Sequence, residues 1–502
     1  MVKVIQKVSQ IIKDNKYLWK PCLILFVIYL VAISAILFSR VHYADDIGRT
    51  QFGYHQFSYF NRYINEVLCL IFHTDVYLAN IAPLPQLMAV LILAIVSVIV
   101  VCTIVGKNKF KEPCKKWIWI IIASVPIGLS PYMLECLSYQ YDSVYMAFSV
   151  LFAVFPLIFR KRTIVQYTIA ICVGTIGVCM TYQASVGIFL IMIVFLAIKE
   201  WNEKKTKFKE GLKCFGKEVV FPLAIFGLML VCFKLFLVTP RDFYVSNGLL
   251  GVQEFIPGLL SHLKRYVSLL LSDFRLLWSV MVWLIAGMFI VIFVVRSQRN
   301  KILAMVVSVC GLALMLVCAF VVYASLSKPL FSPRSMYAVG VLFAVISIYM
   351  VNNKTIWILK MPVFVLCWCF FIFALIYGNA LSEQDKYLDT RINMVVSDLN
   401  ELKIIKDDVT TMIWITGDMG TSPIISNMPQ DYGALERLIG ESFYVNIWAA
   451  RRLMILYDVG NLVFEEDNDL DEMDLPVVKS TALYDIKADD KNVLVVFKGG
   501  EE

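Results

Sequence analysis

The sequence predicts a polytopic α-helical membrane protein that ends in a small α/β domain. The chain has 502 residues, of which 59% are hydrophobic, and its mean hydropathy is +0.73. Both values lie far above those of soluble globular proteins. Apolar runs of roughly 17–25 residues, the length that crosses a bilayer, recur along residues 1–380. Residues 381–502 instead alternate between short strand-like and helix-like segments.

About eleven apolar runs are candidate membrane spans. They lie near 21–39, 83–105, 116–129, 143–159, 164–180, 184–198, 219–238, 277–295, 302–323, 335–350 and 356–378. The third, fifth and sixth runs are short, so counts one or two away from eleven stay open. No small-residue cleavage site follows the first run, and we therefore expect it to remain in the protein as a span rather than a signal peptide.

The distribution of Lys and Arg predicts the orientation. These residues concentrate in alternate segments, at 3–20, 107–116, 160–162, 199–217 and 296–301, whereas 130–142 and 181–183 contain none. Because cytoplasmic loops carry an excess of Lys and Arg, we expect a cytoplasmic N-terminus. Eleven spans then place the C-terminus outside, on the side of Asp45 and Asp46. The basic residues flank spans, where they suit anionic lipid headgroups, and they form no separate basic domain, which argues against nucleic-acid binding.

The tail, residues 381–502, reads as an extracytoplasmic soluble α/β domain attached to a membrane body formed by residues 1–380. It is acidic, with 24 Asp and Glu residues against 11 Lys and Arg residues. The patterns predict helices over 387–402 and 444–457 and buried strands over 411–416 and 492–497. No cysteine follows Cys369, so disulfides are not expected in the tail.

Two predicted outer loops, 40–82 and 239–276, are longer than a simple connection needs, and loops of this length are usually functional. Each contains a candidate interfacial helix, at 54–72 and 255–271.

The most informative motif, Tyr43 to Arg49, follows the first span and contains the adjacent acids Asp45 and Asp46. Carboxylates at a membrane mouth are costly unless they are solvated, paired or used. One interpretation is a helix cap with an ion pair between Asp45 and Arg49, four residues apart. The other is a general base, with the second carboxylate orienting a substrate, because a carboxylate can take the proton of a weakly nucleophilic hydroxyl.

Arg334, in the segment Phe331–Ser335 before a late span, has two interpretations. It is either an arginine that extends to the membrane interface or a bidentate clamp for a phosphate group. Lys328, Lys264 and Arg265 are weaker alternatives for the clamp.

Two further segments carry polar residues at span mouths. Asp142 lies in Leu137–Ser143 together with Tyr139, and Gln183 lies in the short turn Thr181–Ser185. Asp142 is either a helix cap or a sugar ligand, and Gln183 is also able to hydrogen-bond sugar hydroxyls.

Three segments or residue sets resemble nucleotide-binding or metal-binding motifs but lack residues or spacings that those motifs require. The segment 211–217 has the glycines and lysine of a phosphate-binding loop, but Glu218 replaces the required Ser or Thr. The acidic run 467–471 starts like a calcium loop, yet Glu472 stands where Gly is needed. The four histidines, at 42, 55, 73 and 262, show no metal-ligand spacing. We therefore expect neither a metal nor a cofactor.

The chain resembles the Gtr type II membrane glucosyltransferases, which have the GT-C architecture. Four segments carry the resemblance: 43–49, 137–143, 181–185 and Pro333–Arg334. It implies a polyprenyl-phosphate-linked sugar donor, glucose by family default, and transfer with inversion to a surface glycan such as an O-antigen. It implies the outer face of a bacterial cytoplasmic membrane as the location. It also implies the first-loop acid as catalytic base, for which Asp45 is the first choice and Asp46 the second. Arg49, Tyr139, Asp142, Gln183 and Arg334 are then substrate-binding candidates.

The same resemblance implies partner proteins: an enzyme that makes the donor and a flippase that delivers it. Two other functions stay open from the residues alone. A lipid-linked glycan flippase would place polar residues within several spans, whereas here they gather at span mouths. A glycan polymerase would share the location but would join long lipid-linked units.

Overall fold

The computed structural model describes residues 15–204, 215–239, 248–353, 356–404, 410–427, 433–440, 452–453, 462–463 and 475–499. The predicted helix over 444–457, apart from 452–453, lies outside these residues, as do the acidic run 467–471 and most of the basic loop 199–217.

The described part of the membrane body is built of α-helices joined by short 3-10 turns. The helices are α1 (Trp19–Ala32), α2 (Ser34–Ser39), α3 (Asp45–Phe52), α4 (Tyr63–His73), α5 (Leu84–Val105), α6 (Ile118–Ile122), α7 (Pro126–Leu129), α8 (Pro131–Ser138), α9 (Ser143–Val154), α10 (Ile164–Cys179), α11 (Val186–Glu203), α12 (Phe221–Phe236), α13 (Phe255–Asp273), α14 (Leu276–Arg296), α15 (Lys301–Ala324), α16 (Ala338–Asn352) and α17 (Met361–Leu402). Each predicted span coincides with one or two of these helices.

Six of the described helices are long and apolar enough to cross a membrane. They are Leu84–Val105, Gln183–Glu203, Gly216–Phe236, Leu276–Arg296, Lys301–Ala324 and Trp357–Leu402, and the pair Ile118–Leu129 and Pro131–Ser138, bent by 56°, makes a seventh if it is counted as one span. The prediction of a membrane protein is confirmed. The count of eleven stays a prediction, because the helices at 143–159, 164–180 and 335–350 are shorter and the run at 21–39 divides into α1 and α2.

The surface of the body suits a lipid environment. Large apolar side chains on α12, α14 and α15 are exposed, including Leu235, Trp283 and Ile302. The helix α16 is buried along nearly its whole length, so it forms the centre of the bundle. Exposed apolar helices around a buried apolar core are what a bilayer requires, since each helix satisfies its own backbone hydrogen bonds.

The tail contains a five-stranded mixed sheet, which confirms the predicted strands at 411–416 and 492–497. The strands are β1 (Thr411–Asp418), β2 (Leu462–Val463), β3 (Val477–Ser480), β4 (Tyr484–Ala488) and β5 (Asn492–Lys498), in the order β2-β1-β5-β4-β3. β1 pairs in parallel with β2 and β5, and β3, β4 and β5 pair antiparallel. Two short helices, α18 (Pro423–Ser426) and α19 (Gly433–Gly440), belong to the same region.

The long helix α17 joins the two parts, and the predicted boundary between residues 380 and 381 falls inside it. Its first half packs against α2 so closely that a Cβ on Gly378 would lie 2.4 Å from the backbone nitrogen of Ile36. Its second half presents Leu388, Ile392 and Val395 to the sheet, where they form one core with β1 and β5. The same helix therefore packs against the helix bundle with its first half and against the sheet with its second half.

The loops fall into two groups at the two ends of the bundle. At one end, the predicted basic loops meet: Arg160 pairs with Glu200 at 2.7 Å, and Arg299 stacks on Trp201. At the other end, Tyr43 of the first loop donates a 2.9 Å hydrogen bond to the carbonyl of Leu438 in α19. The tail and the acid pair thus share the end opposite to these basic loops, and the side of the membrane on which that end lies stays a prediction.

Candidate functional site

The buried member of the acid pair, Asp46, connects the first outer loop to the second motif. Its carboxylate is fully buried and accepts three backbone hydrogen bonds, from the N–H groups of Gln140 (2.8 Å), Tyr43 (3.1 Å) and Tyr141 (3.3 Å). Burial raises the pKa of Asp46 well above its ordinary value, and these three donors oppose the shift. Asp46 therefore holds two chain segments together and does not face solvent.

Asp45, its neighbour in the sequence, is exposed at the start of α3. In the described part of the chain its carboxylate has no hydrogen bond and no ion pair. The preceding residue, Ala44, has a φ of 45°, which a residue with a Cβ rarely adopts. The helix is not capped by a side chain. Among the described residues, Asp45 thus faces solvent with no hydrogen-bond or ion-pair partner.

The predicted ion pair between Asp45 and Arg49 is replaced by one that spans 93 residues. Arg49 Nη2 donates to Asp142 Oδ2 at 3.1 Å, and both side chains are buried. Arg49 Nη1 donates to the carbonyls of Tyr54 and His55, and its guanidinium lies 4.4 Å from the ring centre of Phe57. Both terminal nitrogens of Arg49 thus hold the first outer loop in position.

Asp142 stands at the N-cap of α9, as the capping interpretation expects, yet its side chain makes no capping bond. Burial raises its pKa, Arg49 opposes that shift, and the nearby charge of Asp45 adds to it. The cation that pairs with Asp142 comes from Arg49, 93 residues earlier in the chain.

Arg334 is held by an acid that sequence reasoning missed. Its Nη1 donates to Glu135 Oε1 at 2.9 Å and also to the hydroxyl of Tyr139. Glu135, on α8, is completely buried and also accepts hydrogen bonds from Ser332. The Arg334 side chain keeps 18% of its surface exposed. An acid inside the apolar run 131–138 was the signal that could have identified Glu135.

A second arginine that the sequence did not single out, Arg62, lies at the same end. Its guanidinium is 4.8 Å from the ring centre of Tyr182 and 5.2 Å from that of Phe60. Among the described residues it makes no ion pair, and its Nε is buried without a hydrogen-bond partner. Burial raises the pKa of Tyr182 well above its ordinary value, and the positive charges of Arg334 and Arg62 oppose that shift. Both cations are therefore close to one tyrosine.

The segment with Gln183 lies beside these groups, although Gln183 itself turns away. Its amide donates a 2.9 Å hydrogen bond to the carbonyl of Cys179, the last residue of α10. Ser185 bonds to the hydroxyl of Tyr337 at 2.6 Å, and Asn65 donates to the carbonyl of Thr181. The four segments of the sequence resemblance thus converge at one end of the helices, around Asp45, Arg62 and Arg334.

The tail contributes to the same end through α19. Arg437 pairs with Asp273 and donates to the carbonyl of Phe331, and Tyr132 donates to the same Asp273 carboxylate at 2.8 Å. Burial raises the pKa of Asp273, and the Arg437 charge opposes that shift.

Comparison with known families gives a match to the family described as glucosyl transferase GtrII, over residues 11–345. The chain belongs to this family. The match covers most of the membrane body, including all four converging segments, and it identifies a glycosyltransferase with a sugar donor and a glycan acceptor. The glycosyltransferase family does not support the flippase alternative. No curated protein and no solved structure matches the chain at a significant level.

The buried Arg49–Asp142 pair gives a direct test of this geometry. Arg49→Ala leaves the buried Asp142 carboxylate without its cation. Removing one partner of a buried ion pair lowers the free energy of unfolding by about 3–5 kcal/mol. We expect Arg49→Ala to lower the unfolding temperature strongly and Arg49→Ala with Asp142→Ala to recover part of the loss. Thermal unfolding of the purified protein in detergent measures both. The exposed pair Lys386–Glu383 is the control, and Lys386→Ala should cost about 0–1 kcal/mol. Strictly additive losses at Arg49 and Asp142 would contradict the coupling.

Proposed function

We propose that this GtrII-family glycosyltransferase moves a glucosyl residue from a polyprenyl-phosphate carrier to a cell-surface glycan, such as an O-antigen, with inversion at the anomeric carbon. The observation that carries the proposal is the exposed carboxylate of Asp45, which has no partner among the described residues and lies at the end of the helix bundle where Arg62 and Arg334 also lie. A proton acceptor and two cations at a membrane mouth fit a lipid-phosphate donor.

The proposed chemistry is a single displacement. The acceptor hydroxyl oxygen forms a bond to the anomeric carbon while Asp45 takes the hydroxyl proton. The bond between the anomeric carbon and the phosphate oxygen breaks, and polyprenyl phosphate leaves with that electron pair. Arg62 and Arg334 stabilise the negative charge that develops on the leaving group. Attack from the side opposite to the leaving group produces the inversion.

The other predicted residues have supporting roles in this proposal. Asp46 and Arg49 position the loop that carries Asp45, and Asp142 holds Arg49. Tyr139 contacts Arg334 and thereby orients the phosphate site, while Gln183 fixes its own turn through its hydrogen bond to the carbonyl of Cys179.

The location follows from the same chemistry. We propose that the end with Asp45 and the tail domain, residues 381–502, faces outside a bacterial cytoplasmic membrane, since lipid-linked donors are used there after a flippase has delivered them. Another enzyme would make the donor in the cytoplasm.

The donor is tested with the purified full chain. Polyprenyl-phosphate glucose with a defined glycan acceptor should give product, whereas UDP-glucose without a lipid carrier should give none, because the nucleotide-binding motifs fail in the sequence. Efficient transfer from UDP-glucose alone would reject the lipid donor.

The catalytic base is tested by Asp45→Asn, which keeps the shape of the side chain but cannot accept the proton. Loss of a general base costs about 10²–10⁴ in rate, so we expect kcat to fall by that factor with an unchanged unfolding temperature. Asp75→Asn, at an exposed acid of the same loop, is the matched control and should retain activity. Wild-type turnover by Asp45→Asn would remove Asp45 from the chemistry.

The phosphate site is tested by Arg62→Gln. We expect about 10²–10³ lower kcat, the usual cost of one lost donor to a developing charge, and weaker donor binding. Arg62→Lys should recover part of the activity because it restores the charge without the planar fork. Arg391→Gln, at an arginine of α17 whose guanidinium lies 4.8 Å from the ring centre of Tyr387, is the control. Equal effects at Arg62 and Arg391 would argue against a specific phosphate contact.

The orientation is tested by labelling a single cysteine or tag placed after Glu502 in intact cells. We expect labelling by a membrane-impermeant reagent without disruption of the cytoplasmic membrane. A tag that reacts only after that membrane is opened would place the tail in the cytoplasm.

A further inference from the structure

Three residues of different ligand chemistry meet in the first outer loop. His55, Glu66 and Cys69 each offer one ligand atom, and these atoms all lie within 4.8 Å of one another. Glu66 and Cys69 stand three residues apart on α4 and so project from one face of the helix. His55 comes from the segment before it. The spacing of these positions matches no common metal motif, which is why the sequence alone predicted no ligand set.

The cluster is held in place by contacts that do not depend on a ligand. The backbone carbonyl of His55 accepts the 2.8 Å hydrogen bond from Arg49 Nη1. Glu66 Oε1 accepts a 2.5 Å hydrogen bond from the backbone N–H of Ser58, and Glu66 Oε2 contacts His55 Nδ1. Cys69 is completely buried. Because the three positions are already fixed, binding an ion would order little additional chain.

The donor set selects the class of ion. Calcium and magnesium prefer oxygen ligands alone, whereas zinc accepts imidazole nitrogen, thiolate sulfur and carboxylate oxygen in one tetrahedral site. His55 and Glu66 keep 34% and 17% of their side-chain surfaces exposed, so one side of the cluster is open to water. We propose that His55, Glu66 and Cys69 bind one Zn²⁺ ion, with water in the fourth position.

Such an ion would stabilise the folded conformation of the first outer loop. It would join the 55–58 segment to α4, and through the His55 carbonyl it would stabilise the position of Arg49, which in turn holds Asp142. The inference concerns stability and metal binding, so it stands independently of the proposed transfer reaction.

The alternative is a plain hydrogen bond between His55 and Glu66 above a buried thiol. In the structure Cys69 Sγ donates to the backbone carbonyl of Glu66 at 3.1 Å, a contact that a small apolar role of cysteine also permits. The two possibilities differ in whether the thiol becomes a thiolate ligand.

The experiment uses the full chain, purified in detergent with a tag that contains no histidine and treated with a chelator. Titration with Co²⁺ as a spectroscopic substitute, and with Zn²⁺ by equilibrium dialysis, should give one tight site per chain. The Co²⁺ form should show a sulfur-to-metal charge-transfer band, and Zn²⁺ should raise the unfolding temperature.

Variants at the cluster decide between the two possibilities. Cys69→Ser should abolish the charge-transfer band, and Glu66→Gln and His55→Gln should each weaken Zn²⁺ binding by more than about 100-fold, since even changes behind the ligands cost 10–100-fold. Cys179→Ser is the matched control, because Cys179 is equally buried on α10, and it should bind Zn²⁺ normally. If Cys69→Ser fails to fold, Glu66→Gln and His55→Gln decide the question. The proposal is overturned if no stoichiometric site is found, or if binding survives in both Glu66→Gln and His55→Gln.

Discussion

The buried carboxylate of Asp46 is the constraint on which the outer end of the bundle depends. A carboxylate without access to water is costly unless hydrogen bonds compensate it, and here three backbone N–H groups from two separate segments do so. The first outer loop and the segment before α9 must therefore lie together whenever the protein is folded. The ion pair between Arg49 and Asp142 joins the same two segments.

The same constraint gives two adjacent acids different environments. Successive residues of a helix point about 100° apart, so when Asp46 turns inward Asp45 turns towards solvent. The strained φ of 45° at Ala44 accompanies this arrangement, at a cost on the order of 1–3 kcal/mol for such a backbone conformation. The hydrogen bond from the Tyr43 N–H to the Asp46 carboxylate bridges Ala44 and holds the turn in this conformation. A backbone outlier directly before an exposed carboxylate is consistent with a loop shaped to present that carboxylate.

The helices and strands were predictable because their signals are local. Apolar length located the spans, and alternation located β1 and β5. Two ion pairs were not predictable. Arg49 and Asp142 lie 93 positions apart in the chain, and Arg334 and Glu135 lie 199 positions apart. No local pattern encodes such a contact. Adjacent acids also look equivalent in a sequence, and only the fold separates the buried Asp46 from the exposed Asp45. Arg62 was missed for a related reason, since its place beside the rings of Phe60 and Tyr182 is set by the fold, where it makes no ion pair with any described residue.

The tail makes specific contacts with the region that matches the family. The match ends at residue 345, yet Tyr43, two residues before Asp45, donates its hydroxyl to the carbonyl of Leu438 in α19. Arg437 of the same helix neutralises Asp273, which is buried against Tyr132 of the body. Without α19, Asp273 would lose its cation and Tyr43 its acceptor, both close to the acid loop. The geometry of that loop is therefore set partly by a segment outside the family match, and this gives the tail a physical route by which to influence what reaches Asp45.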